Sequence, residues 1–124
     1  MVNRILIVDD DENGRNAMRG FFEAYGFEVQ SAGCADEAIT LGQDFIPDVL
    51  ISDWMLGPDG DGIDVARTLL HTHCPRLAVI VMTGHRTEAV QEVAKALGVP
   101  VQIFMRKPLS LFELKSAVDL VLEH

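Results

Sequence analysis

Three adjacent carboxylates end an apolar run near the start of the chain. The run Ile5–Val8 is typical of a buried strand, and Asp9, Asp10 and Asp11 follow it directly. Like charges at this spacing repel one another, and a buried carboxylate is costly unless it is paired or binds a metal. The cluster therefore indicates a cation site, because a bound metal ion would offset the repulsion.

Three further polar positions follow other apolar runs in the same way. Asp53 ends the segment DVLISD, Thr83 ends LAVIVMT, and Lys107 with Pro108 follows VQIFMR. In an open parallel sheet, ligands bind beyond the carboxyl ends of the strands. If these runs are parallel strands, their polar ends meet at one edge of the sheet.

Together these residues would supply the parts of a phosphoryl-transfer site. Carboxylate oxygens from Asp9, Asp10 and Asp53 suit Mg²⁺, which takes a few carboxylates and keeps several waters. Lys107 would add a compact positive charge and Thr83 a hydroxyl donor. Phosphoryl transfer needs in-line positioning and charge neutralisation, with little covalent work by the protein beyond a carboxylate nucleophile.

Five apolar runs alternate with five helical patterns along the chain. The predicted strands are Arg4–Val8, Phe27–Ser31, Val49–Ser52, Leu77–Met82 and Val101–Met105. Apolar residues at helical spacing follow each strand, and the last helix opens with Ser110-Leu-Phe-Glu113, a capping box. This alternation predicts an α/β domain with a parallel sheet and helices on both faces.

Composition narrows the class of protein further. The chain has 124 residues, 48% of them hydrophobic, which suits one domain with one substantial core. A formal charge of −9 argues against unassisted nucleic-acid binding. No apolar run approaches a membrane span, no signal peptide is expected before the first strand, and Cys34 and Cys74 are expected to be reduced. We therefore expect a cytoplasmic protein.

The ordered set of motifs resembles the receiver domain of two-component response regulators, the family of the bacterial chemotaxis regulator. The resemblance covers essentially all of residues 1–124, and Leu122-Glu123-His124 are equally consistent with a tag remnant and with native sequence. It implies a doubly wound (βα)5 fold with the flavodoxin-like strand order 2-1-3-4-5. It also implies a cis bond between Lys107 and Pro108.

The resemblance also implies a role for each site residue. Asp53 would be the phospho-acceptor, with Thr83 and Lys107 holding the phosphoryl oxygens. Mg²⁺ would be bound by Asp9, Asp10, Asp53 and the backbone carbonyl of Met55. Thr83 and Phe104 would form the conformational switch, although Phe104 is equally consistent with an ordinary core aromatic residue.

One loop departs from the family pattern. Gly57 stands where the family usually has proline, Pro58 follows, and GPDGDG is one residue longer than usual. Such loops resemble receivers fused to hybrid sensor kinases. The departure bears on partner choice more than on chemistry. Met55 and His85, two positions beyond Asp53 and Thr83, are expected to flank the approach of water to the phosphoryl group.

The expected function is a phosphorylation switch rather than an enzyme with turnover. A histidine kinase or phosphotransfer protein would donate the phosphoryl group, and a partner or fused output domain outside this chain would respond. Two alternatives stay open. A phosphohydrolase of the haloacid-dehalogenase type also uses aspartate, Mg²⁺ and lysine, but carries its nucleophile on the first strand. A degenerate receiver would dock proteins without being phosphorylated.

Overall fold

The structure, a computed structural model, describes residues 2–55, 62–84 and 86–123. Strands and helices alternate through these residues. They are β1 (Arg4–Val8), α1 (Glu12–Ala24), β2 (Glu28–Ala32), α2 (Ala35–Phe45), β3 (Val49–Asp53), α3 (Gly62–His71), β4 (Ala78–Thr83), α4 (Thr87–Ala96), β5 (Ile103–Arg106) and α5 (Leu111–Leu122). None of the helices in the described part of the chain has the length and hydropathy needed to cross a bilayer.

The five strands form one parallel sheet in the order β2-β1-β3-β4-β5, which confirms the predicted topology. β1 and β3 are neighbours in the sheet, with Val8 opposite Ser52. The residues that follow these two strands therefore leave the sheet side by side. The strand order thus brings together two acidic segments that lie more than forty residues apart in the sequence.

Both faces of the sheet are covered, which explains why the strands are apolar without alternation. Leu6 and Val8 point to the layer formed by α2, α3 and α4, whereas Ile5 and Ile7 point to the layer of α1 and α5. All four side chains are fully buried. β1 is therefore fixed from both sides, and so is the position at which it ends.

Helix ends follow the signals in the sequence. Asp11 is the N-cap of α1 and accepts a hydrogen bond from the Gly14 amide at 3.2 Å. Ser110 and Glu113 form the expected capping box of α5. α1 ends just before Gly26, which has a φ of 92° that glycine adopts without strain. These caps fix the register of the helices on the sheet.

Four strands, β2 to β5, end one residue later than predicted, and at β3 and β4 the difference involves the site. Asp53 pairs with Met82, and Thr83 pairs with Arg106, so both polar residues belong to the ladder itself. β5 begins two residues later than expected, and just before its start the Gln102 side chain accepts a hydrogen bond from the Val79 amide at 2.6 Å. The Val79 amide is therefore hydrogen-bonded to a side chain, just before the β4–β5 pairing begins at Ile80 and Ile103.

Gly62, the first residue of α3, lies directly against the end of β3. A Cβ atom placed on Gly62 would lie 2.2 Å from the carbonyl oxygen of Asp53 and 2.5 Å from Oγ of Ser52. The Gly62 amide donates a 3.1 Å hydrogen bond to the carbonyl of Trp54. The absence of a side chain at Gly62 is thus what lets α3 start against the backbone of the site.

Replacing Gly62 by alanine should destabilise the domain by about 2 kcal/mol or more, because the methyl group overlaps backbone that cannot move cheaply. The control is Gly20→Ala on α1, where an added Cβ meets nothing within 4 Å. That substitution should stabilise the domain by about 0.5–1 kcal/mol through helix propensity. Urea unfolding of both variants measures the contrast. Equal stability of the two variants would show that the contact of α3 with Asp53 is not tight.

Candidate functional site

Three carboxylates converge at the carboxyl edge of the sheet. One oxygen from each of Asp9, Asp10 and Asp53 lies within 4.8 Å of the others. Asp9 and Asp53 are each only 5% exposed, whereas Asp10 is open to solvent. An all-oxygen donor set with one exposed member fits a hard divalent cation that retains part of its water shell. The predicted ligand carboxylates are thus brought together.

The backbone and its neighbours hold Asp9 in place. Its amide continues the β1–β2 pairing by donating to the carbonyl of Ala32 at 3.1 Å. One carboxylate oxygen accepts a hydrogen bond from the Asp11 amide at 2.9 Å. Because Asp11 in turn caps α1, the start of this helix and the orientation of Asp9 depend on each other.

Asp53 is held by the strands on which it ends. The next amide, that of Trp54, donates to the carbonyl of Met82 at 2.7 Å, which extends the β3–β4 pairing past Asp53. The hydroxyl of Ser52 donates to the Asp53 carbonyl at 2.9 Å. The Asp53 backbone is therefore fixed, and its carboxylate can reorient only by side-chain rotation.

Lys107 reaches the same point from β5. Its amide donates to the Thr83 carbonyl at 2.7 Å, and its ammonium contacts the Asp53 carboxylate in an ion pair. The Lys107–Pro108 bond is cis, as the sequence led us to expect. The predicted nucleophile and the predicted cation are therefore in direct contact.

A cavity of about 290 Å³ opens between these groups. Asp10, Asp53, Thr83 and Lys107 contribute polar atoms to its lining, with Trp54, Met55, Met82 and Gly84 completing it. Thr83 is only 1% exposed, so it lies at the inner end of the site. The cavity is roomy enough for a small anion in contact with both a hydroxyl and an ammonium group.

Burial and charge set the ionisation of the central pair. Burial raises the pKa of Asp53 from 3.8 to about 7, and the hydrogen bond and negative charge of Asp9 also raise it, while Lys107 lowers it. Burial would lower the pKa of Lys107, but its hydrogen bond to Asp53 and the surrounding carboxylates raise the pKa overall. Near neutral pH, Asp53 is close to its midpoint, so a cation bound there would displace a proton.

The remaining predicted positions differ in how close they lie to the site. Met55 lines the cavity and is 58% exposed, while Phe104 is partly buried and packs against the α2–α3–α4 layer. Residues 57–61 of the GPDGDG loop and His85 lie outside the described residues, so the predictions on them stay predictions. Sequence reasoning missed Gly62, whose only signal is that it follows a loop at the start of a helical pattern.

The family description "Response regulator receiver domain" matches residues 5–119. The chain belongs to this family. The match includes every polar residue of the site, from the acidic pair after β1 to the lysine after β5. A receiver domain is a regulatory signalling domain of two-component systems.

Sequence relatives of this receiver are longer proteins. It is 34% identical to the regulatory protein AtoC of Escherichia coli strain K12, over 98% of this chain and 26% of AtoC. It is 35% identical to the phosphate regulon transcriptional regulatory protein PhoB of Rhizobium meliloti strain 1021, over 98% of this chain and 53% of PhoB. The receiver thus spans between about a quarter and a half of these relatives.

Solved structures share the fold of this receiver. A receiver domain from Clostridium thermocellum has a TM-score of 0.85 at 26% identity and covers 98% of this chain, with 95% of its own chain covered. A CheY-like receiver domain protein from Methanospirillum hungatei JF-1 has a TM-score of 0.88 at 24% identity, with 99% and 95% covered. The second comparison supports the fold alone.

The raised pKa of Asp53 predicts how stability changes with pH when Mg²⁺ is withheld by EDTA. The unfolded carboxyl ionises near its ordinary pKa of 3.8 and the folded one only near 7. The folded state therefore loses stability as the pH rises from the lower to the higher value, because ionisation is easier after unfolding.

The variant Asp53→Asn cannot undergo this ionisation. In EDTA, its advantage in unfolding free energy over the parent should grow between about pH 4 and pH 7 and then level off. Urea unfolding across this range measures the difference. A constant difference at all pH values would show that Asp53 ionises in the folded domain as it does in the unfolded chain.

Proposed function

We propose that this domain is a phospho-accepting switch in which Asp53 takes a phosphoryl group from a histidine kinase or a phosphotransfer protein. One observation carries the proposal. The buried Asp53 carboxylate contacts Lys107, and the carboxylates of Asp9 and Asp10 lie beside this ion pair. A purely structural ion pair would not need Asp9 and Asp10 next to it, because they add repulsion.

In the proposed reaction, an oxygen of the ionised Asp53 carboxylate attacks phosphorus as the bond from phosphorus to the donor imidazole nitrogen breaks. The imidazole leaves as a neutral ring once it has gained a proton. Lys107 exchanges its contact with the carboxylate for a phosphoryl oxygen, and the Thr83 hydroxyl donates to another. The protein contributes position and charge rather than an additional covalent step.

A cation would complete the charge balance of the reaction. Asp9, Asp10, Asp53 and the backbone carbonyl of Met55 would hold Mg²⁺, which would neutralise charge on the phosphoryl oxygens when bound. The cation would also keep Asp53 ionised at neutral pH, since it favours the carboxylate over the protonated form. The raised pKa of Asp53 thus makes nucleophile activation depend on metal binding.

The proposed output is a shift between two arrangements of the domain. Thr83 would move toward the phosphoryl group, and Phe104, which is only partly buried, would turn into the space that it leaves. Phosphorylation then raises the population of an arrangement that the domain already samples. A change from 1:99 to 99:1 needs roughly 5.5 kcal/mol of differential interaction, which charge-assisted bonds to a dianionic group can supply.

The partner that reads this change would be a protein surface or a fused output domain. The net charge of −9 supports a protein partner over nucleic acid for this domain itself. PhoB is named a transcriptional regulatory protein, and this chain covers only 53% of it. A response regulator of that kind would supply its output from sequence beyond the receiver.

Incubation with a small-molecule phosphodonor in Mg²⁺ tests the proposal. Intact mass measurement should show one phosphoryl group per chain, lost on Asp53→Asn and on addition of EDTA. The matched control is Asp48→Asn, an exposed carboxylate at the opposite end of β3, which should be phosphorylated like the parent. Rapid turnover of the donor without modified protein would instead indicate a phosphohydrolase, and the absence of both would indicate a docking module.

A further inference from the structure

Arg15 links α1 to the backbone of the acidic pair. Its Nη1 donates a 2.9 Å hydrogen bond to the carbonyl oxygen of Asp9. The side chain is partly buried, unlike that of Arg19 one turn further along α1, which forms an exposed ion pair with Glu23. The guanidinium of Arg15 thus contacts the backbone of the site, whereas that of Arg19 stays on the surface of α1.

Gly33, between β2 and α2, provides the space for this guanidinium. A Cβ atom on Gly33 would lie 2.8 Å from Nη1 and 3.5 Å from Cζ of Arg15. Gly33 is not among the described glycines with positive φ, so the backbone conformation does not require glycine there. These distances show that the guanidinium lies close to the β2–α2 loop at Gly33, where an added methyl group would displace it.

The hydrogen bond acts on the peptide unit that joins the two acidic residues. The carbonyl of Asp9 and the amide of Asp10 belong to one rigid plane. The Asp9 amide, one residue back, is already fixed by Ala32 of β2. A donor that holds the carbonyl therefore sets the tilt of this plane, and with it the directions in which both carboxylates leave the backbone.

We infer that Arg15, seated on Gly33, is a positioning residue that orients Asp9 and Asp10 for cation binding. The inference rests on the proposed function, since it assumes that the carboxylate cluster binds Mg²⁺. Partners of metal ligands typically change metal affinity by 10–100-fold when they are removed. Arg15 would act in this way through the backbone rather than through a side chain of the ligand set.

A purely electrostatic role for Arg15 predicts the opposite change in Mg²⁺ affinity, so the experiment can distinguish the two roles. Arg15 carries a positive charge close to an acidic cluster, and a positive charge opposes Mg²⁺ binding. If Arg15 acted only through its charge, removing it would tighten Mg²⁺ binding. If it acts by positioning, removing it weakens Mg²⁺ binding despite the gain in net negative charge.

The experiment is a Mg²⁺ titration followed through Trp54, the single tryptophan, which adjoins Asp53. Arg15→Ala should raise the Kd for Mg²⁺ by about tenfold. Arg15→Lys should give an intermediate Kd, because an ammonium can reach the carbonyl but lacks the larger planar group that lies beside Gly33. Gly33→Ala keeps every charge and should also raise the Kd, by displacing the guanidinium.

The control is Arg19→Ala, which removes a positive charge from the exposed part of α1 and should leave the Kd unchanged or slightly lower. Circular dichroism confirms folding of each variant, and Gly33→Ala and Arg15→Lys keep the test decisive if Arg15→Ala does not fold. An unchanged or lower Kd in Arg15→Ala, or an unchanged Kd in Gly33→Ala, would overturn the inference. Failure of the parent to bind Mg²⁺ would refute the proposed function and this inference with it.

Discussion

Repulsion among three carboxylates is the constraint around which this domain is built. Asp9, Asp10 and Asp53 approach within 4.8 Å, and two of them are buried. Lys107 offsets part of the charge, but the pKa of Asp53 is still raised to about 7. Burial is the main cause of this rise in the pKa of Asp53, with Asp9 adding to it, and one ammonium faces three carboxylates. Excess negative charge of this kind favours a cation at the site.

The fold keeps the three carboxylates together because its stability comes from the buried core rather than from the site. β1 and β3 are adjacent, and their residues 5–8 and 49–51 are apolar and fully buried, so the strand ends cannot separate to relieve the repulsion. Small residues allow the surrounding elements to approach the strand ends, with Gly62 against Asp53 and Gly33 beneath Arg15. The large free energy of core burial thus maintains a small unfavourable arrangement at one edge, as is common at functional sites.

Local patterns in the sequence were sufficient to predict the alternating α/β fold and the strand ends at which the polar residues stand, whereas the strand order was implied by the family resemblance. Apolar runs predict parallel strands, and polar residues after them must meet at the carboxyl edge. Contacts between residues that are not neighbours in the sequence leave no such pattern in it. Three such contacts join residues whose spacing in the sequence carries no signal. They are the approach of Gly62 to Asp53, the hydrogen bond from Arg15 to Asp9, and the hydrogen bond from Val79 to the Gln102 side chain. Apolar positions at helical spacing were also insufficient to predict that Val93 of α4 and Leu97, its C-cap, are exposed.

The most direct test of this account is the stability of the parent and of Asp10→Asn, by urea unfolding at pH 7.5, in EDTA and in saturating Mg²⁺. In EDTA, Asp10→Asn should be the more stable protein, because it removes one of the three repelling charges. Mg²⁺ should stabilise the parent strongly and the variant little, since a ligand stabilises the state that binds it. The account would be contradicted if Asp10→Asn were less stable than the parent in EDTA, or if Mg²⁺ stabilised both proteins equally or neither.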